Sequence, residues 1–107
     1  MKNSEQPERE QPQVSVIMPL LNARPFLADS IGSILAQSFR DFELIVVDNG
    51  SSDGSRGYAE SLTDSRIRVL AESRRGAAHA INAGIAASRA DLLAVMDADD
   101  VSQHDKL

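Results

Sequence analysis

From Val14 onward, short β-branched runs alternate with longer helical periods. "VSVIMP", residues 14–19, is an apolar run of strand length closed by Pro19. Leu27, Ile31, Ile34 and Leu35 follow at spacings of three and four, which stacks them on one face of a helix ending near Gln37. "FELIVVD" predicts a second buried strand ending at Asp48, and "NGSSDGS" after it a glycine and serine turn. Ser51 or Ser52 stands where it caps a short helix running through Leu62. "IRVL" predicts a brief third strand. "GAAHAINAGIAAS", residues 76–88, predicts a helix of small residues, although Gly84 in its interior costs about 1 kcal/mol relative to alanine. "DLLAVM" completes the series as a fourth strand, buried like the others.

Strand and helix in alternation predict an α/β fold: a mostly parallel four-stranded sheet with helices on both faces. Right-handed crossovers then bring the carboxyl end of every strand to one edge, where open sheets of this kind bind ligands. Three polar clusters meet there: "PLLNARP", "DNGSSDG" and "DADD". A length of 107 residues suits one domain, over residues 14–107. Residues 1–13 are polar, lack the apolar core of a signal peptide, and read as a disordered leader.

Composition removes several functions. A net charge of -5 and 4% aromatic residues leave neither the basic face nor the stacking surface that nucleic acid needs. Arg66, Arg68, Arg74 and Arg75 form the only basic cluster, adequate for one or two phosphates. With no cysteine, a disulfide framework and a thiolate zinc site are excluded. No run approaches the roughly 18 apolar residues of a membrane span. These features predict a cytoplasmic segment without a membrane span.

The ligand edge lacks glycine between Pro19 and the first helix, so the turn is neither a G-x-x-x-x-G-K-[ST] phosphate loop nor a G-x-G-x-x-G dinucleotide turn. Carboxylates on separate strand ends remain. In an extended segment residues i and i+2 point the same way, so Asp97 and Asp99 offer oxygens to one side. Two hard oxygen ligands suit Mg2+ or Mn2+, which takes its other ligands from water and substrate phosphates. Arg74 or Arg75 can add a guanidinium to a diphosphate. A bare D-x-D is equally at home capping a turn, but Asp48 on a neighbouring strand end favours a binding site.

The order "VSVIMPLLN", "SILAQSFRDFELIVVDNGSSDGS", "GAAHAINAGIAAS" and "LLAVMDADDVSQHDKL" resembles the nucleotide-sugar-binding half of family 2 glycosyltransferases, which have the Rossmann-like GT-A fold. The likeness covers residues 14–107. It implies that Pro19, Leu21 and Asn22 border the nucleotide pocket and that Asp48 and Asn49 face the base and ribose. It makes Asp97 and Asp99 the D-x-D pair, Asp99 being the direct metal ligand. The implied reaction is inverting transfer of a sugar from a nucleoside diphosphate sugar to a glycan, lipid or protein acceptor. A divalent cation would stabilise the diphosphate leaving group.

Some positions depart from the common family pattern. Asn49 stands in place of a second aspartate, Leu21 in place of an aromatic residue, and His104 at a common proline position. Ile81 stands where many members have arginine before the asparagine, here Asn82, so phosphate neutralisation falls to Arg75. The family's catalytic base lies downstream of the D-x-D segment, so this chain is expected to supply donor and metal binding and to end before the acceptor half. The full-length protein would then work in the cytoplasm or at the inner face of the membrane. Two other readings stay open: a noncatalytic nucleotide-binding or assembly module, and a metal-dependent nucleotidyl- or phosphotransfer domain. Against the latter, "PLLNARP" has no glycine-rich basic loop and "IRVL" ends in Ala71 and Glu72 rather than an aspartate.

Overall fold

In the computed structural model, which describes residues 11–98, the elements follow one another as β1 (Val14–Leu20), α1 (Arg24–Leu35), β2 (Phe42–Asp48), α2 (Ser55–Glu60), β3 (Ile67–Ala71), α3 (Ala77–Ala87) and β4 (Leu92–Val95). The strands form one sheet in the order β3-β2-β1-β4, with every pair parallel. The chain steps outward from β1 through β2 to β3, then crosses back over β1 to lay β4 on its other side. Strand order therefore reverses between β1 and β4, and the loops leaving those strands diverge and open a crevice.

Side-chain alternation along β1 and β2 divides the core. Val16, Met18, Leu20, Leu44 and Val46 pack with Leu27, Ile31 and Ile34 of α1, and Ala59 of α2 joins them. Ile45 and Val47 point the other way, against Ala80 of α3. With helices on both faces, inner strands are apolar at every position, which is why they read as continuous runs. Gly84 has a packing reason: a Cβ there would lie 2.6 Å from Ile17 Cγ2, so α3 approaches β1 more closely than any side chain permits.

The fourth strand departs from expectation. Leu92, Leu93 and Val95 are 64%, 44% and 49% exposed. Its apolar run marks a strand correctly, but β4 is an edge strand, and α3 packs mainly on β1 and β2 instead of over it. Within it Ala94 alone packs, partly buried, against the core, and Met96 and Ala98 just beyond it are buried there. Other boundaries shift slightly. Pro19 lies inside β1 opposite Val47, and α1 stops at Leu35. α2 begins at Ser55 after Gly54 in the left-handed region, so neither Ser51 nor Ser52 caps it. Of the leader expected over 1–13, residues 1–10 lie outside the described residues; Pro12 is buried and the Gln13 N–H donates to the Asp41 carbonyl at 3.2 Å.

At the amino-terminal edge of the sheet, the buried Glu43 carboxylate gathers the Ser15 hydroxyl (2.6 Å), the Arg89 backbone N–H (2.7 Å), Arg89 Nε (3.0 Å) and Arg68 Nη1 (2.9 Å). Arg68 Nη1 also donates to the Ala87 carbonyl at 2.8 Å, tying down the end of α3. Arg66 pairs with Asp64 at 2.9 Å and lies over the Phe42 ring. The basic cluster of the sequence is thus divided by β3. Arg66 and Arg68 serve the far edge, and only Arg74 and Arg75 reach the ligand edge. Among the described residues no helix is long and apolar enough to cross a membrane.

Candidate functional site

The loop after β1 is locked onto the loop after β2. α1 has Ala23 at its N-cap and no capping side chain of its own. Its orphan N–H groups are taken by residues about thirty positions away. Asn22 N donates to Ser51 Oγ (3.0 Å), Ala23 N to Ser55 Oγ (3.2 Å) and Arg24 N to Asp53 Oδ2 (3.0 Å). In return Ser52 N donates to Asn22 Oδ1 at 2.7 Å. Asn22 adopts φ 51°, a left-handed geometry that asparagine tolerates. Asp53 also accepts from the Ser55 hydroxyl and backbone N–H. The Ser55 hydroxyl and then the Arg24 N–H hold the Asp53 carboxyl below its ordinary pKa. A carboxylate of the protein therefore occupies the positive end of α1, leaving that end closed to a ligand phosphate.

The end of β2 supplies two further polar groups. Asp48 is buried, and its oxygens accept the N–H groups of Gly50 (3.2 Å) and Ser51 (3.3 Å). Asn49 Nδ2 donates to the Glu72 and Arg74 carbonyls, both at 2.8 Å, while its Oδ1 accepts the Gly76 N–H at 2.9 Å. The loop after β3 is also closed on itself, since the Glu72 carboxylate accepts the Arg74 backbone N–H (2.8 Å) and Nε (2.9 Å). The Arg74 guanidinium, then its backbone N–H, lower the Glu72 pKa to about 2. Arg75 is exposed beside this pair.

A hollow of about 340 Å³ opens at the carboxyl ends of β1 and β4. Of the predicted residues, Pro19, Leu21, Asn22, Asn49 and Asp97 line it. Asp48 and Arg75 are not among its lining residues. Asp99 lies outside the described residues, as do Asp100 and His104. Asp97 is exposed, and among the described residues no group hydrogen-bonds to its carboxylate, so its oxygens suit a hard cation. Among the described residues no three His, Cys, Asp or Glu side chains form a metal cluster. β1 lies between β2 and β4, and Asp48 is committed to backbone N–H groups.

Sequence reasoning did not find Phe26, Gly76 or Ala77 in the lining, nor the interlocking roles of Ser51, Asp53 and Ser55. A signal was present: "NARPF" opens a helix without a capping residue, while "NGSSDGS" carries more hydroxyl and carboxyl groups than one turn consumes.

The family model for Glycosyl transferase family 2 matches residues 15–107. The chain belongs to that family. Its relatives include the uncharacterized glycosyltransferase EpsJ of Bacillus subtilis (strain 168), 40% identical over 91 residues that make up 83% of this chain and 26% of EpsJ. The Escherichia coli UDP-Glc:alpha-D-GlcNAc-diphosphoundecaprenol beta-1,3-glucosyltransferase WfgD is 39% identical over 95 residues, 88% of this chain and 38% of WfgD. Among solved structures, the Pyrobaculum calidifontis mannosyltransferase PcManGT in complex with GDP-Man and Mn2+ superposes with a TM-score of 0.75 at 32% identity, over 85% of this chain and 28% of that one. The architecture is accordingly the GT-A fold of family 2 glycosyltransferases, and the chain spans well under half the length of these relatives.

Proposed function

We propose that this chain forms the donor- and metal-binding part of an inverting glycosyltransferase that moves a hexose from a nucleoside diphosphate sugar to a hydroxyl acceptor. The observation that carries the reading is the hollow at the strand-order reversal, with Asp97 on its rim and the β1 loop as its wall. WfgD uses UDP-Glc by its name, and PcManGT was solved with GDP-Man and Mn2+, which supports a nucleotide-sugar donor here.

Asp97 and Asp99 would hold Mg2+ or Mn2+, and the bound cation would neutralise charge developing on the departing diphosphate. The chain's own residues do the rest of the binding. Pro19, Leu21 and Phe26 supply apolar wall. Asn22 is fixed in the rim by Ser51 and Ser52, so the rim is set before a ligand arrives. Arg75, adjacent to the lining residue Gly76, brings a second positive charge to the diphosphate. In a single displacement the acceptor oxygen attacks the anomeric carbon as the bond to the diphosphate breaks on the opposite face. The base that accepts the hydroxyl proton is assigned downstream of the D-x-D segment. A phosphotransfer reading that needs an aspartate ending β1 or β3 is disfavoured, because Leu20 and Ala71 stand there.

Calorimetry with UDP and with GDP, each with and without Mn2+, tests the proposal. Binding that strengthens with Mn2+, and loses that gain in Asp97→Ala and Asp99→Ala, is expected. Binding indifferent to the cation, or unchanged in both variants, would remove the assignment.

A further inference from the structure

We propose that Asn49 is a positioning residue that aims Arg75 at the donor diphosphate, an assignment resting on the donor-binding reading above. The Asn49 side chain spends its amide on one loop. Its two N–H groups go to the carbonyls of Glu72 and Arg74, both at 2.8 Å, and its oxygen takes the Gly76 N–H at 2.9 Å. The Arg74 carbonyl belongs to the peptide preceding Arg75, and the Gly76 N–H to the peptide following it. One buried amide thus holds both peptide groups that flank Arg75, and with them the direction in which its side chain leaves the backbone.

Asn49 is itself anchored, because its backbone N–H donates to the Leu20 carbonyl at 2.8 Å. It therefore ties the end of β1, the end of β2 and the loop entering α3 into one piece. Gly76, at φ 119°, turns that loop into the wall of the hollow.

The chemistry demands an amide. Two carbonyls require two donors and one N–H requires an acceptor, which fixes the amide in a single orientation. A carboxylate of the same shape would set its lone pairs against two carbonyl oxygens and leave both unsatisfied. With these three partners in this chain, aspartate cannot reproduce the bonds that Asn49 makes. With both amide hydrogens engaged, Asn49 has none left for a nucleobase, so it acts through Arg75 and not by reading the base.

A double-mutant cycle on the 107-residue chain tests this, with UDP and Mn2+ as probe and calorimetry as readout. Asn49→Asp and Arg75→Ala should each weaken binding by about tenfold, and the double variant should be no weaker than the worse single one. Thermal midpoints identify any loss due to stability alone. Additive losses, or unchanged affinity in either single variant, would overturn the proposal. In parallel, amide hydrogen exchange of the ligand-free protein should show Gly76 exchanging at least about tenfold faster in Asn49→Asp, and unchanged exchange would refute the clamp. Should Asn49→Asp not fold, Asn49→Ser carries both arms. If the wild-type chain binds no UDP, the donor reading fails, while the exchange experiment still decides whether the clamp exists.

Discussion

Glu43 is the most consequential single residue away from the ligand edge. Burial alone would raise its pKa. The Ser15 hydroxyl, the Arg89 N–H and the guanidinium groups of Arg68 and Arg89 outweigh burial and bring it below the ordinary value of 4.5. A carboxyl whose pKa is lowered by folding stabilises the fold above its unfolded pKa, and that contribution is lost as pH falls through the folded value. The thermal midpoint should therefore hold near neutrality and decline below about pH 4.5. Glu43→Gln should cost on the order of 1–3 kcal/mol at pH 7, because Arg68 and Arg89 lose a charged acceptor while staying partly hydrated. The decline with acid should be shallower in that variant. Parallel pH curves for the two proteins would show that Glu43 does not provide the acid-sensitive contribution. None of this was legible in the sequence, where Glu43 is one polar residue in an apolar run and its partners lie at positions 15, 68 and 89.

At the scale of the elements, local pattern was informative where local physics decides. The three- and four-residue spacing of Leu27, Ile31 and Ile34 located α1, and apolar runs located all four strands. Burial of β4 was misjudged because a run reports strand propensity, whereas exposure depends on strand order and on where α3 lands. Ser51 and Ser52 were read as local caps, yet their partners lie across the loop pair at Asn22. Gly84 looked like a helix weakness, and its use became visible only when α3 met Ile17 at 2.6 Å from an added Cβ. Gly84→Ala should therefore destabilise by about 1–3 kcal/mol despite the better helix propensity of alanine. Chemical denaturation reads this directly, and a variant as stable as the parent would show that α3 can withdraw from β1 without loss.

For the molecule as a whole, topology converts a linear sequence into a two-ended object. The parallel order β3-β2-β1-β4 sends Glu43, Arg66, Arg68 and Arg89 to one edge, and Asn22, Asn49, Gly76 and Asp97 to the other. The separation explains why the arginines that cluster in sequence do not act together. It also places the hollow at the reversal of strand order, where the loops from β1 and β4 diverge. Five of the eight candidate residues line that hollow: Asp97, which the strand-end pattern singles out, and Pro19, Leu21, Asn22 and Asn49, which the family resemblance names. Asp48 does not, because its carboxylate turns back onto the Gly50 and Ser51 N–H groups of its own loop, and Arg75 stands one residue before the lining Gly76. The most direct test is a backbone-amide NMR titration with UDP and trace Mn2+, read as paramagnetic broadening. Broadening that requires UDP and is strongest at Asp97 and Ala98, then Asn22 and Gly76, is expected. Strongest broadening at the opposite edge around Glu43 and Asp64, or broadening independent of UDP, would contradict the placement of the donor site.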